Sequence, residues 1–355
     1  MTTDEQVDEL DGEARSAVER MVTAVDGDWT VLDATEISEG GNETVAVTVE
    51  TDDGVRECVL KATDEEHGGG NLAAEAKLLR LLGAETSVPV PEVYGVVDDH
   101  PDLPTPLFLM GRTDGEPLPA DASAIPNDEM AAYVRQVGRS LGEIHSVDAF
   151  GGYGPVADAD RVDPADAGGA RPLARAYGLA LADPHDSWAA RVPATAEWML
   201  ERVGETRFGD LVPALDDAIT ERYERLDLPG RPVISRIDHH PGNLAVDRGS
   251  RSVTGLLDWG LVRTTDPEYD LVCAEQGFCG TDSLDSDRRE RLRSALYEGY
   301  DETHERRVDG AFEARRRLYQ LVFIAPNMTW VSAWVTPETA DGVERDYREF
   351  VAELL

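Results

Sequence analysis

Apolar positions along the first hundred residues change period more than once. Between positions 7 and 22, Val7, Leu10, Ala14, Ala17, Val18, Met21 and Val22 recur at helical spacing and leave an acidic outer face, the pattern of an amphipathic helix. Alternation by two then takes over. Thr44-Val-Ala-Val-Thr-Val-Glu50 reads as a strand, Asp52-Asp53-Gly54 as a turn, and Arg56-Glu-Cys-Val-Leu-Lys61 as the returning strand of a β-hairpin. Leu72, Ala76, Leu79 and Leu82 predict a helix over 72–82, and Leu107-Phe-Leu-Met110 is an apolar strand. From Asp128 onward the pattern is mostly helical, most clearly over 130–145. Residues 151–186 are rich in Gly, Ala, Asp and Pro without a stable period, which predicts a loop-rich insertion or lid. Two short strands flank Arg248-Gly-Ser250, and helices fill the remainder. The expected fold class is α+β and bilobal: a small β-rich lobe over 1–111, a hinge at Gly111-Arg-Thr-Asp-Gly115, and a larger helical lobe over 112–355.

Charge narrows the partners. The 355 residues include 33 basic and 71 acidic side chains, a net charge of −38. Phosphate backbones and anionic lipid surfaces are bound by basic stripes, and none exists here, so neither nucleic acid nor a membrane is an expected partner. No run of about 18 apolar residues occurs and residues 1–20 are polar and acidic, so neither a transmembrane helix nor a signal peptide is expected. Cys58, Cys273 and Cys279 form no paired motif and are odd in number, as in a reduced cytoplasmic protein. Lys61 and Lys77 are the only lysines; every other basic residue is arginine. Acid excess with scarce lysine predicts a halophilic chain. At about 1 M salt the Debye length is only about 3 Å, so self-repulsion is screened there and not in dilute buffer.

The strongest chemical signal is Val233-Ile-Ser-Arg-Ile-Asp-His-His-Pro-Gly-Asn-Leu-Ala-Val246, followed by Val253-Thr-Gly-Leu-Leu-Asp258-Trp259. A strand ends at Asp238, a Pro-Gly loop runs to Asn243, and a strand, turn and strand return Asp258 to the same end. Three oxygen-bearing side chains thus converge. Asn243 and Asp258 suit a hard cation such as Mg²⁺, which takes a few protein oxygens and completes its shell with water and phosphate. Asp238 stays free to accept a proton from a hydroxyl. A second signal joins Lys61, at a strand end, to Glu75, which falls on the apolar stripe of the 72–82 helix. A buried carboxylate requires a partner, and a retained lysine suggests a need for a compact ammonium. Lys77 lies off that stripe and reads as solvated. Gly40-Gly41 before the first strand allows backbone amides to approach phosphate, and Gly68-Gly-Gly70 reads as a linker.

The order of these parts resembles the aminoglycoside phosphotransferase family of small-molecule kinases, from about Val31 to Tyr300. The resemblance implies a protein-kinase-like fold that uses ATP and Mg²⁺ to phosphorylate a hydroxyl group of an aminoglycoside, amino sugar or amino alcohol. It makes Gly40-Gly41-Asn42 the nucleotide loop, Lys61 the α/β-phosphate lysine and Glu75 its helix partner. Pro106-Leu-Phe-Leu-Met-Gly-Arg112 becomes a hinge, where Met110 and Arg112 hold adenine through backbone hydrogen bonds. Gly138 to His145 resembles the helix that ends in a Leu/Ile-His pair. Asp238 becomes the catalytic base, Asn243 and Asp258 the metal ligands, and Asp270 a brace for the catalytic loop. Two departures stand out. The family usually has His-Gly before the catalytic aspartate, where this chain has Arg236-Ile237, and the Ala-Pro-Glu of protein kinases is absent.

Two rival readings follow from the residues. Arg236 raises the alternative of a nucleotide-binding relic with impaired catalysis. Asp238-His239-His240, with Asp158-Ala-Asp160 upstream, also spells a metal-dependent phosphoesterase. Adjacent histidines point in different directions, however, and the upstream aspartates lie in an unpatterned stretch.

Overall fold

The computed structural model describes residues 10–37, 43–63, 69–119, 121–307, 309–334 and 339–355. Helix α1 (Gly12–Val25) opens the chain, started by Asp11, whose carboxylate accepts the Glu13 and Ala14 amides. Strands β1 (Thr30–Glu36), β2 (Glu43–Thr51) and β3 (Gly54–Ala62) follow, then α2 (Gly69–Glu85), β4 (Val93–Val97) and β5 (Leu107–Gly111). The strands form one antiparallel sheet in the order β1-β2-β3-β5-β4. Alternation assigns its two faces. Leu107, Leu109, Cys58, Leu60 and Ala62 pack with Val18, Met21 and Val22 of α1. Phe108, Met110 and Val59 point the other way, into a larger core with α2. Lys61, between Leu60 and Ala62, lies on this α2 side and pairs in register with Thr44 and Phe108.

The rest of the described chain is mostly helical. Strand β6 (Glu116–Pro117) and α3 (Asn127–His145) lead into β7 (Val156–Asp158), β8 (Ala167–Gly168), α4 (Pro172–Ala176) and β9 (Leu179–Ala182). Then come α5 (Trp188–Gly204), α6 (Val212–Arg225), β10 (Val233–Ser235), β11 (Leu244–Asp247), β12 (Ser252–Leu256) and β13 (Arg263–Thr265). Helices α7 (Pro267–Cys279), α8 (Asp287–Asp301), α9 (Phe312–Trp334) and α10 (Ala340–Leu354) complete it. Three small sheets, β12-β11-β6, β10-β13 and β7-β9-β8, carry the loops between them. Among the described residues no helix is long and apolar enough to cross a membrane. Helices α3 and α8 approach closely at glycine: a Cβ at Gly138 would lie 2.1 Å from the Leu296 carbonyl, and one at Gly299 would lie 1.9 Å from that of Arg135. This contact sets His145, the last residue of α3, beside Tyr300 of α8.

The structure corrects two local expectations and refines a third. Residues 151–186 are mostly irregular, as a loop-rich insertion would be, but carry short elements. These form the β7-β9-β8 sheet with α4, and Val156, Leu179 and Leu181 enter the main core. Strands of two to four residues are too short to show a period. Gly69 and Gly70 form the first turn of α2 instead of a linker. Lys77 is not solvated: its Nζ lies 2.6 Å from Asp158 Oδ1, and the Asp158 side chain is 1% exposed.

Candidate active site

The site is assembled where α2 and β3 meet the β11–β12 hairpin. Glu75 of α2 is 1% exposed, and its Oε1 accepts from Lys61 Nζ at 2.7 Å and from the Trp259 backbone N–H at 3.4 Å. Burial works against the Lys61 ammonium, but Glu75 and Asp258 outweigh it, and the lysine pKa lies above its ordinary value. Lys61 therefore stays charged, with the Asp258 carboxylate close enough to stabilise it.

The 238–243 loop is built tightly. The Asp238 and His239 amides turn back onto the Arg236 and Ile237 carbonyls at 2.8 and 2.9 Å. Ile237 pays for that turn with φ +68, a left-handed conformation that a β-branched residue rarely adopts. Asn243 ends a single turn of 3₁₀ helix, Pro241–Asn243. Its Nδ2 donates to Asp238 Oδ2 at 3.0 Å and to the Asp238 carbonyl at 3.2 Å. The Asp238 carboxylate is thus fixed yet still partly exposed. The exposed Asp258, at φ +55, accepts the Gly260 amide on Oδ1.

Arg236 ties these pieces together. It is 2% exposed. Its Nη1 donates to the Leu257 carbonyl at 2.7 Å and the Asn243 carbonyl at 3.2 Å, while Nη2 lies 3.3 Å from His239 Nδ1. The Leu257 amide returns a bond to the Asn243 carbonyl at 2.9 Å. The segment bearing Asp258 and the segment bearing Asn243 are therefore locked through one buried guanidinium.

Behind the loop, Asp270 accepts from Ser235 Oγ and meets His239 Nε2 at 2.9 Å and His145 Nε2 at 3.0 Å. Burial alone would raise the Asp270 pKa, but His239 and His145 hold it well below the carboxylate range. Burial dominates at His239 and lowers its pKa. A neutral His239 that donates from Nε2 and accepts from Arg236 on Nδ1 satisfies every contact it makes. Helix α7 presses on this loop as well, since a Cβ at Gly277 would fall 1.4 Å from the His239 carbonyl oxygen.

The structure therefore brings Lys61 to Glu75, Glu75 to Trp259 beside Asp258, and Asn243 to Asp238. Gly40 and Gly41 lie outside the described residues. The Arg112 amide donates to the Glu57 carbonyl at 3.0 Å, and its exposed guanidinium stands 3.6 Å from the Glu57 carboxylate. Met110 is buried in the α2-side core. Among the described residues no group of three or more His, Cys, Asp or Glu is placed to cage a metal. Asn243 Oδ1 accepts from no described donor, and Asp258 offers a carboxylate at the surface. This donor set fits a cation such as Mg²⁺, which takes one or two protein oxygens and the rest from phosphate and water. Both His239 nitrogens are engaged within the protein, contrary to what the phosphoesterase reading needs.

A family model described as "Phosphotransferase enzyme family" matches residues 33–310. The chain belongs to that family. Its members' architecture is also found among solved structures. Aminoglycoside phosphotransferase APH(4)-Ia superposes with a TM-score of 0.61 at 16% identity, over 96% of this chain and 98% of that one. The GDP complex of wild-type aminoglycoside 2'-phosphotransferase-IIIa gives 0.62 at 17% identity, over 97% and 100%. A mutant of APH(4)-Ia in ternary complex with AMP-PNP and hygromycin B gives 0.60 at 15% identity, over 96% and 98%. The bilobal kinase-like phosphotransferase fold expected from the sequence is thus the fold of this family member.

Sequence reasoning overlooked Arg236 as an anchor, the Tyr300–His145–Asp270 relay of contacts, and Lys77 with Asp158. For Lys77 a signal existed: the scarcity of lysine that singled out Lys61 applied to it equally.

Proposed function

We propose that this phosphotransferase moves the terminal phosphoryl group of ATP, with Mg²⁺, onto a hydroxyl group of a small molecule. The observation that carries the reading is the meeting at Glu75, where one carboxylate oxygen receives both the Lys61 ammonium and the Trp259 amide next to Asp258. Cationic and anionic ends of a phosphate site are thereby held at one place. In this reading residues 1–111 supply the nucleotide half: Gly40, Gly41 and Lys61 toward the phosphates and the Met110 backbone toward adenine. Residues 112–355 supply the base and the acceptor pocket. Asn243 and Asp258 would hold Mg²⁺, which when bound offsets charge developing on the transferred group. Asp238 orients the acceptor hydroxyl and takes its proton, with Oδ2 pinned by Asn243. Arg236 supports an active enzyme over a relic, because it supplies an anchor where the family's histidine is missing.

Structural neighbours crystallised with hygromycin B and kanamycin make aminoglycosides and amino sugars the first acceptors to test, with amino alcohols beside them. The work is placed in a salt-rich cytoplasm, so the screen measures ADP release over hydroxylated metabolites in high-KCl buffer. With an acceptor in hand, Asp238→Ala should lower turnover about 10²- to 10⁴-fold, the usual contribution of a positioned base, while retaining Mg·ADP binding by calorimetry. Full turnover in that variant would overturn the assignment.

A further inference from the structure

The two lysines of the chain share a helix as their common element. Lys61 of β3 bonds to Glu75 of α2, and Lys77 of α2 bonds to Asp158 at the end of β7. Glu75 and Lys77 are two residues apart, about 200° around a helix of 3.6 residues per turn, so they grip α2 from nearly opposite sides. Helix α2 packs against β7 and β9 as well as against β4 and β5. One wall of its seat is therefore the small β7-β9-β8 sheet and not the sheet that carries Lys61.

The seat is shaped for an ammonium. Lys77 and Asp158 side chains are 16% and 1% exposed. Asp158 Oδ1 also accepts the Asp160 amide at 3.0 Å, and Arg161 Nε stands 3.7 Å from Oδ2, so the carboxylate is itself held in place. Gly178, whose φ of +70 favours glycine, lies alongside, and a Cβ there would meet Lys77 Nζ at ordinary contact distance, 3.4 Å. A chain that uses arginine at every other basic position uses lysine at these two. A compact point charge fits each seat, whereas a planar guanidinium needs room for its fork.

We infer that Lys77 and Asp158 are positioning residues, which fix the rotation of α2 about its axis and so set how Glu75 presents Lys61 to the nucleotide. With Asp158 on one side and Lys61 and Trp259 on the other, α2 has one rotational setting in which all three bonds form. Loss of Lys77–Asp158 frees that setting and lets Glu75 drift from Lys61. The β7-β9-β8 sheet is then a support for the nucleotide site in addition to its share of the core. This inference rests on the assignment of Lys61 to the phosphates.

The experiment is calorimetric titration of Mg·ATP into the full chain in high-KCl buffer, reading Kd and the fraction of competent sites separately. The variants are Lys77→Met, Lys77→Arg, Asp158→Asn, Lys61→Met and the double Lys61→Met/Lys77→Met. Lys77→Met, Lys77→Arg and Asp158→Asn should each weaken binding about tenfold among the competent sites. Lys77→Met should add nothing in the Lys61→Met background, because the same contact is already gone. A merely structural role would lower the competent fraction and leave Kd alone. Wild-type Kd in Lys77→Arg and Asp158→Asn, while Lys61→Met loses affinity, overturns the inference alone, as does an additive double variant. Wild-type Kd in Lys61→Met overturns the nucleotide assignment itself. Lys77→Arg and Asp158→Asn keep a polar side chain in the seat, so the test stands even where Lys77→Met does not fold.

Discussion

Truncation of Arg236 to alanine should damage both stability and turnover, and the structure sets the scale. The guanidinium is buried over the Trp259 ring, 5.9 Å from its centroid. Burial lowers its pKa, opposed by Asp238, Asp258 and Asp270. Its removal strips the Leu257 carbonyl of its 2.7 Å donor and His239 Nδ1 of its neighbour, while the Asn243 carbonyl keeps the Leu257 amide. It also leaves the fully buried Asp270 carboxylate with less compensating charge. Deleting one partner of a buried charged group costs about 3–5 kcal/mol. With unfolding entropy near 2.1 cal/mol/K per residue, 355 residues give roughly 0.75 kcal/mol/K, so the midpoint should fall by about 4–7 °C. Turnover should fall further than stability explains. The segments of Asn243 and Asp258 would keep only the Leu257 amide bond between them and lose the guanidinium that braces it, and a displacement of about 1 Å at a reacting centre costs on the order of 10²-fold. Arg236→Lys keeps the charge but can reach only part of the contact set, so it should fall between wild type and alanine. Calorimetric melting at fixed KCl, with ADP release on the folded variant, checks both. An Arg236→Ala protein that melts within about 1 °C of wild type and turns over normally would refute the anchoring role.

Two further outcomes are expected. Burial, followed by the Glu268 charge, raises the Asp266 pKa to about 7. Its folded value therefore exceeds its unfolded value of about 3.9, so the stability it contributes is complete below about pH 4 and is lost as pH rises through about 7, by on the order of 4 kcal/mol. Asp266→Asn keeps an acceptor for the Glu268 amide, now 2.8 Å from Oδ1, and should flatten that part of the pH profile in denaturant melts; parallel profiles would count against it. For the charge of −38, raising KCl from about 0.1 M to about 1 M shortens the Debye length from about 10 to about 3 Å, so the melting temperature should climb steeply. A melt insensitive to KCl would contradict halophilic adaptation.

The legible parts of the fold were those in which one residue's neighbours along the chain already dictate its place. Alternation in Thr44–Glu50 and Arg56–Lys61 placed the hairpin, and the apolar stripe through Leu72, Ala76 and Leu79 left Glu75 buried with a charge to neutralise. The partner was then forced to be a cation, and Lys61 was the nearest one upstream; the 2.7 Å bond follows from that burial argument. Convergence of Asn243 with Asp238 was legible for the same reason, because a short loop and a hairpin constrain both ends. Short elements defeated the method. Two-residue strands such as β8 carry no period, and their stability comes from β9 and the core beneath, which a local window does not see.

Arg236-Ile237 shows where local reading ends. From sequence the pair is a loss: a histidine and a flexible glycine replaced by residues that fit a turn less well. In the fold Ile237 does adopt the left-handed conformation that glycine would take freely, at a cost of roughly 1–2 kcal/mol. The compensation comes from far along the chain. Leu257 is 21 residues from Arg236, Asp270 is 31 from His239, and His145 is 125 from Asp270. Each supplies a bond that holds the turn in place. Strain at 237 persists because these distant groups over-determine the loop, and the same groups fix Asp238 and Asn243 with little freedom left. A pair that looks like decay in a motif thus belongs, in three dimensions, to a loop clamped by the buried side chain of Arg236 and by the contacts around Asp270.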